Sequence, residues 1–169
     1  MHSFAAQNRG KTLIVGGACY FIFALAVSAV FVPEVRLLHV AQAALYVATI
    51  VLALRQSRWG YFIGASIGIF WDLLATFGSA LFSDWVATPA RPDLILQVLG
   101  WWANLAVVIG SAIGYRRLAN KSRGDAASFI TVFIGTTAFL VAATAMLAPS
   151  YLSHLATILH PHWPWHPSP

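Results

Sequence analysis

The sequence predicts an all-α integral membrane protein built as a bundle of about five transmembrane helices. One reason is composition: 59% of the 169 residues are hydrophobic and only 9% are charged, whereas about a quarter of the residues in a soluble domain are charged. A second reason is spacing, because apolar stretches of about 20 residues, enough to cross a hydrocarbon core about 30 Å thick, alternate with short charged segments.

The five predicted spans end where charged or helix-breaking residues interrupt the apolar pattern. Pro33 ends the first span, and Arg55 and Arg58 separate the second from the third. Asp93 and Asp125 suit the positive N-terminal ends of the fourth and fifth helices. The predicted spans are Thr12–Val32, Leu37–Leu54, Trp59–Phe82, Leu94–Tyr115 and Ala127–Ala148, which together make residues 1–148 the transmembrane bundle.

The positions of the basic residues predict the orientation of the chain, because Lys and Arg avoid the translocated side of a membrane. Only Arg36 and Arg91 would lie on one side of a five-span bundle, and the other basic residues share the opposite side. These are Arg9, Lys11, Arg55, Arg58, Arg116, Arg117, Lys121 and Arg123. We therefore expect a cytoplasmic N-terminus and an external C-terminus in a bacterial-type cytoplasmic membrane. The net charge of +5 is then an orientation signal, and we expect no nucleic-acid partner.

Residues 149–169 predict an external interfacial helix followed by an irregular tail. The segment Ser150–His160 places its apolar residues on one helical face, as in helices that lie along a membrane surface. The tail carries His160, His162 and His166, and imidazole is a common ligand of Cu, Ni and Zn. A segment rich in Pro and Trp has no rigid scaffold to fix their geometry, so we expect neither a metal site nor another cofactor.

The third span combines an intramembrane acid with a ridge of glycines. Gly60, Gly64 and Gly68 precede Asp72 at intervals of four residues, so all four lie on one helical face. Small residues at this spacing let two helix backbones approach closely. A central Asp costs about 2.5–3.5 kcal/mol on insertion scales and should face protein or water. Asp72 is therefore either a structural hydrogen-bonding group that joins helices, or a proton-coupled or ligand-binding acid.

Two other spans carry polar faces that could meet Asp72. His39, Gln42, Tyr46 and Thr49 share one face of the second span, and Gln97, Asn104 and Ser111 recur every seven residues in the fourth. These faces predict a polar site formed by Asp72, Asn104, Gln42, Tyr46 and Gln97. We expect Asn104, Gln42 or Tyr46 to hydrogen-bond the carboxyl group. The alternative is that these amides and hydroxyls pair only with one another.

No catalytic signature is present, and Cys19 is the single cysteine, so a non-enzymatic function is favoured. The first hypothesis is a small membrane subunit or scaffold, which assembles with itself or with other membrane subunits through the glycine ridge. The second is a small transporter or channel-like protein in which Asp72 is the coupling or selectivity group. The third is a membrane enzyme or electron-transfer subunit that binds a lipophilic quinone near Trp101 and Trp102. In all three the lipid bilayer is a partner.

Overall fold

The computed structural model describes residues 2–77, 86–87, 92–119 and 121–149. These residues form five long helices and, in the part of the chain described, no strand. The helices are α1 (His2–Phe31), α2 (Arg36–Leu54), α3 (Arg58–Phe77), α4 (Pro92–Arg116) and α5 (Asp125–Leu147), with a short 3-10 helix at Pro33–Val35 between α1 and α2. All five are long and apolar enough to cross a bilayer, which confirms the prediction of a helical chain with five candidate membrane spans.

The observed helices differ from the predicted spans mainly at their ends. α1 begins at His2, ahead of the predicted Thr12. The other four helices begin one or two residues before the predicted spans. Residues 78–82 of the third predicted span lie outside the described residues, as do the predicted interfacial segment and tail from residue 150 onward, including His160, His162 and His166.

Helices that follow one another in the chain run antiparallel, whereas α3 and α5 run parallel, since the first residues of both helices form an ion pair. α4 packs between α1 and α3, and α5 packs against α3 and α2. Gly10 near the start of α1 lies beside Gly110 near the end of α4, and Gly17 lies beside Ala103. We call the end at which α1 begins, where α2 joins α3 and α4 joins α5, the basic end. The other end, where α2 begins and α3 ends, we call the distal end.

The connection from α1 to α2 at the distal end is fixed by Pro33 and Arg36. Proline cannot continue the hydrogen-bonding pattern of α1 and instead opens the 3-10 helix. Arg36 then reaches back, and its Nε donates a hydrogen bond to the carbonyl oxygen of Ala29 at 2.8 Å. A basic side chain is favourable at a helix C-terminus, where carbonyl groups lack intrahelical partners. Arg36 thus caps α1.

The turn from α2 to α3 has the hydrogen bonds of a Schellman motif. The backbone N–H of Ser57 donates to the carbonyl of Leu52 at 2.9 Å, and that of Gln56 donates to Ala53 at 3.0 Å. Gln56 occupies the left-handed position of this motif with φ 58°, a conformation that glycine adopts more readily. The tight turn brings the start of α3 directly against the end of α2.

A buried acid joins three helices at the basic end. Asp125, the first residue of α5, has a side chain that is only 3% exposed, and its Oδ1 accepts a hydrogen bond from Arg58 of α3 at 2.8 Å. Its Oδ2 accepts from the hydroxyl of Tyr115 of α4 and from the backbone N–H of Ser122, each at 2.9 Å. A carboxylate is also favoured at a helix N-terminus. This cluster ties α3, α4 and α5 together.

Glycines produce a close backbone approach between α1 and α4. A Cβ atom at Gly10 would lie 3.1 Å from the carbonyl oxygen of Gly110, and one at Gly110 would lie 2.7 Å from that of Gly10. A Cβ atom at Gly17 would collide with the carbonyl oxygen of Ala103 and lie 2.9 Å from Val107. The contact therefore depends on residues without side chains, as in other tightly packed membrane helices.

We predict that Gly17→Ala destabilises the bundle by about 1–3 kcal/mol, because the added methyl group must separate α1 from α4. Gly16→Ala is the matched control, since Gly16 is exposed on the same helix and a Cβ atom there would have no heavy atom within 4 Å. Gly16→Ala should be neutral or stabilising through helix propensity. The measurement is reversible unfolding in mixed detergent micelles, and equal effects of the two substitutions would contradict the close approach.

Candidate functional site

Three polar residues meet in the interior of the bundle, one each from α2, α3 and α4. Tyr46 lies near the middle of α2 and is 0% exposed, and Asn104 lies near the middle of α4 and is 2% exposed. The hydroxyl of Tyr46 donates a hydrogen bond of 2.6 Å to Oδ1 of Asn104. The side chain of Asn104 also lies beside the carboxyl group of Asp72 on α3, close enough to interact with it. We call Tyr46, Asn104 and Asp72 the polar triad.

Asp72 has hydrogen-bonding capacity that the described residues do not use. Its Oδ1 is buried and has no hydrogen-bond partner among them. The amide oxygen of Asn104 accepts from Tyr46 and offers Asp72 no proton, so the NH2 group is the donor that Asn104 has on this side. A buried carboxyl oxygen is costly when it lacks a partner. The carboxyl group is therefore the member of the triad that is open to a further proton or water.

Further polar side chains continue the α2 face of the triad in both directions. Toward the distal end lie Gln42, which is buried, and His39, which is half-buried; Oε1 of Gln42 and Nδ1 of His39 are buried without a partner among the described residues. Toward the basic end lie Thr49 on α2 and Ser111 on α4, both buried, with hydroxyl groups that have no partner among the described residues. Polar groups thus follow the bundle interior for several turns.

The structure does not place Gln97 with these residues, because its side chain is exposed. Gln97, Asn104 and Ser111 are spaced by seven residues, and a straight α-helix drifts by about 20° per heptad from such a repeat. Asn104 and Ser111 stay on the interior side, while Gln97, at the distal end of α4, faces outward. The polar site suggested by the sequence therefore loses this one member.

The glycine ridge brings α3 close enough to α4 for the triad to form. A Cβ atom at Gly68 would lie 3.0 Å from the carbonyl oxygen of Asn104, and one at Gly64 would lie 2.8 Å from Oγ of Ser111 and 2.7 Å from Thr49. Gly60 meets the end of α2 in the same way. Asp72 follows Gly68 by one turn on the same face. The ridge is buried against α2 and α4, so it is not available to a second copy.

Aromatic rings border the triad on the side of α1, which sequence reasoning did not identify. The ring of Phe21 lies 4.8 Å from that of Tyr46 and 6.3 Å from that of Trp71, measured between centroids. Phe21 is one apolar residue among many in α1, so no sequence signal distinguished it. The close approach of α4 to α1 was also missed, although Gly110 and Gly114 have the spacing of a GxxxG motif.

The tryptophan pair of α4 lies at the edge of the bundle. The indole N–H of Trp101 donates a hydrogen bond of 3.1 Å to the hydroxyl of Thr76 on α3. Trp102 is 57% exposed, and its ring meets that of Trp101 edge to face at 5.0 Å. Among the described residues, no group of three or more His, Cys, Asp or Glu side chains could hold a metal ion.

Comparison of the chain with protein-family models, with curated protein sequences and with solved structures gives no significant match. The geometry of the bundle therefore has to carry any assignment of function.

We predict that Tyr46→Phe and Asn104→Leu are energetically coupled, because each removes one partner of the same buried hydrogen bond. The coupling energy in a double-mutant cycle should be about 1 kcal/mol, as for interhelical hydrogen bonds in membranes. The control cycle pairs Tyr20→Phe with Asn104→Leu, since the hydroxyl of Tyr20 points to the carbonyl of Leu96. Unfolding in mixed micelles supplies the free energies, and additive effects of the first pair would contradict the triad.

Proposed function

We propose that this protein moves protons across a membrane and that Asp72 is the group that takes up and releases them. The observation that carries the proposal is the buried Oδ1 atom of Asp72, which has no partner among the described residues although the carboxyl group lies beside a hydrogen-bonded pair. Ionisable groups inside a membrane are costly and commonly mark the path of an ion or proton. Small-residue packing alone does not require an acid.

The surroundings of Asp72 favour a proton over a metal cation. Calcium takes about six to eight oxygen ligands, and magnesium requires a near-octahedral set. The triad holds four side-chain oxygen atoms, two from Asp72 and one each from Asn104 and Tyr46, fewer than either cation requires. One carboxyl group suffices to bind a proton. Asn104 and Tyr46 would then orient it.

The proposed orientation places the basic end in the cytoplasm, in a bacterial-type cytoplasmic membrane. Arg55, Arg58 and Arg116 lie at that end, next to or within α2, α3 and α4, together with the basic residues near the start of α1. This asymmetry supports a cytoplasmic N-terminus and an external C-terminus. The outward faces of the helices are apolar, with Ile130 and Ile134 of α5 among the exposed residues, and they suit contact with lipid.

We predict that purified protein in lipid vesicles gives a proton flux that Asp72→Asn abolishes, because an amide cannot ionise. A potassium gradient with valinomycin supplies the driving potential, and an entrapped pH-sensitive dye reports the flux. The matched control is Glu34→Gln, which removes an exposed acid at the distal end and should leave the flux unchanged. Flux equal to that of protein-free vesicles for the wild type, or unaffected by Asp72→Asn, would contradict the proposal.

A second proposal is assembly into an oligomer or with other membrane subunits, now through α5. Gly135 of α5 is exposed, and a Cβ atom there would meet no heavy atom within 4 Å. Thr131, Ala138 and Ala142 are also small and exposed, at spacings of three and four residues that place them on the same side of the helix as Gly135. Small residues on a lipid-facing surface favour close approach of another helix. This face replaces the α3 ridge, which is occupied within the chain.

If copies associate through α5, Gly135→Ile should dissociate them, because the larger side chain prevents close approach. Gly16→Ile is the matched control, since Gly16 is an equally open glycine on α1. The mass of the detergent-solubilised protein, measured by light scattering after size exclusion, distinguishes monomer from oligomer. A monomeric wild-type protein, or an oligomer unaffected by Gly135→Ile, would rule out this assembly.

A further inference from the structure

We infer that Asp72 exchanges its proton with water at the distal end, along a route lined by Gln42 and His39, and that the basic end is closed in this conformation. The inference rests on the proposed function and adds to it the direction of access. It follows from three features of the bundle: the packing along α3, the closure at the basic end, and the polar groups of α2.

Packing along α3 changes at its midpoint. The buried residues of α3 all lie between Gly60 and Gly68. From Ile69 to Phe77 no described residue of α3 is buried, and Asp72 lies within this more loosely packed half. Tightly packed helices exclude water, since interiors have few voids large enough for it. Access to Asp72 is therefore easier from the distal end than through the glycine-packed half.

An aromatic and aliphatic layer closes the basic end. Tyr61 is 1% exposed, packs with Ile14 and Ala53, and presses its ring against Gly114. On this side of the triad the polar groups of α2 and α4 end with Thr49 and Ser111, whose side chains both contact Gly64. Beyond them, the hydroxyl of Tyr61 donates a hydrogen bond to the carbonyl of Ala53 at 3.4 Å. The polar groups that extend from the triad toward the basic end therefore stop inside the bundle.

Toward the distal end the polar groups continue. Gln42 lies four residues before Tyr46, and His39 lies seven residues before Tyr46. These spacings place them about 6 Å and about 10 Å from Tyr46 along the helix axis. Oε1 of Gln42 and Nδ1 of His39 each lack a partner among the described residues. Buried polar groups in native proteins are almost always hydrogen-bonded, and ordered water serves where protein groups do not. These two residues are spaced to hold water between the distal surface and Asp72.

The charged residues Glu34, Arg36 and Asp93 lie at the distal end of this route, and the described groups between that end and Asp72 are His39 and uncharged side chains. On the interior face of α2 the titratable side chains of the described residues are Tyr46 and His39, and α4 contributes the amide of Asn104. α1 contributes the ring of Phe21, which stacks on Tyr46, and a backbone group that His39 contacts. Asp72 is therefore the acid on this route, and His39 marks its outer end. Such combinations of acid, histidine and water form proton relays in membrane proteins.

The test is the reactivity of single cysteines on either side of Asp72, in a Cys19→Ser background that removes the native, exposed thiol. Gln42→Cys lies on the proposed route and Ser111→Cys lies on the closed side. Protein in lipid vesicles is treated from one side at a time with a membrane-impermeant cationic methanethiosulfonate reagent, and labelling is read by mass. Exposed reference positions, Arg55→Cys at the basic end and Val32→Cys at the distal end, report the sidedness.

We expect Gln42→Cys to react only from the side that labels Val32→Cys, and Ser111→Cys to react from neither side. Labelling at position 42 should also reduce the proton flux to the level of Asp72→Asn. Reaction of Ser111→Cys from the basic side, or no reaction of Gln42→Cys from either side, would overturn the route. If Asp72-dependent flux persists in those cases, the proposed function survives. Absence of such flux with the expected labelling would overturn the function instead.

Discussion

The cost of burying the carboxyl group of Asp72 is the constraint on which the interior of this bundle depends. In an apolar environment a polar group must be hydrogen-bonded or it destabilises the fold. Asn104 accepts a hydrogen bond from Tyr46 and lies beside Asp72, so one amide side chain meets residues from two other helices. That arrangement requires α3 and α4 to approach closely, and the glycines that precede Asp72 on its own face provide the approach.

Packing and polarity are therefore coupled along α3. At the basic end the absence of side chains at Gly60 and Gly64 gives a dense interface, which the Arg58–Asp125 ion pair reinforces. Past Gly68 the packing loosens, and the acid lies there. The half of α3 near the basic end is closed, whereas the looser half holds the acid. This asymmetry suits directional proton exchange. A bundle held together by packing alone has no need of it.

Much of this architecture could be predicted from the sequence, because a lipid bilayer requires apolar helices of a certain length and turns polar side chains toward the protein interior. Apolar length identified five helices, and the polar faces that carry Asp72, Asn104 and Tyr46 indicated which residues would meet. The prediction for Gln97 was wrong, because residues spaced by seven drift around a straight helix and Gln97 is exposed. The ion pair between α3 and α5 and the contact of Gly17 with α4 could not be predicted, because they depend on which helices become neighbours. Sequence periodicity determines the buried face of a helix but not its partner.

The most direct test of the central claim is the infrared difference spectrum of the protein in lipid as the pH is changed. If Asp72 exchanges a proton within the triad, the spectrum contains a carboxylic C=O band that disappears in Asp72→Asn. The same band shifts in Asn104→Leu, because the polar amide beside the carboxyl group is replaced by an apolar side chain. Identical spectra for the wild type and Asp72→Asn would show that the carboxyl group does not exchange its proton, and would contradict the account.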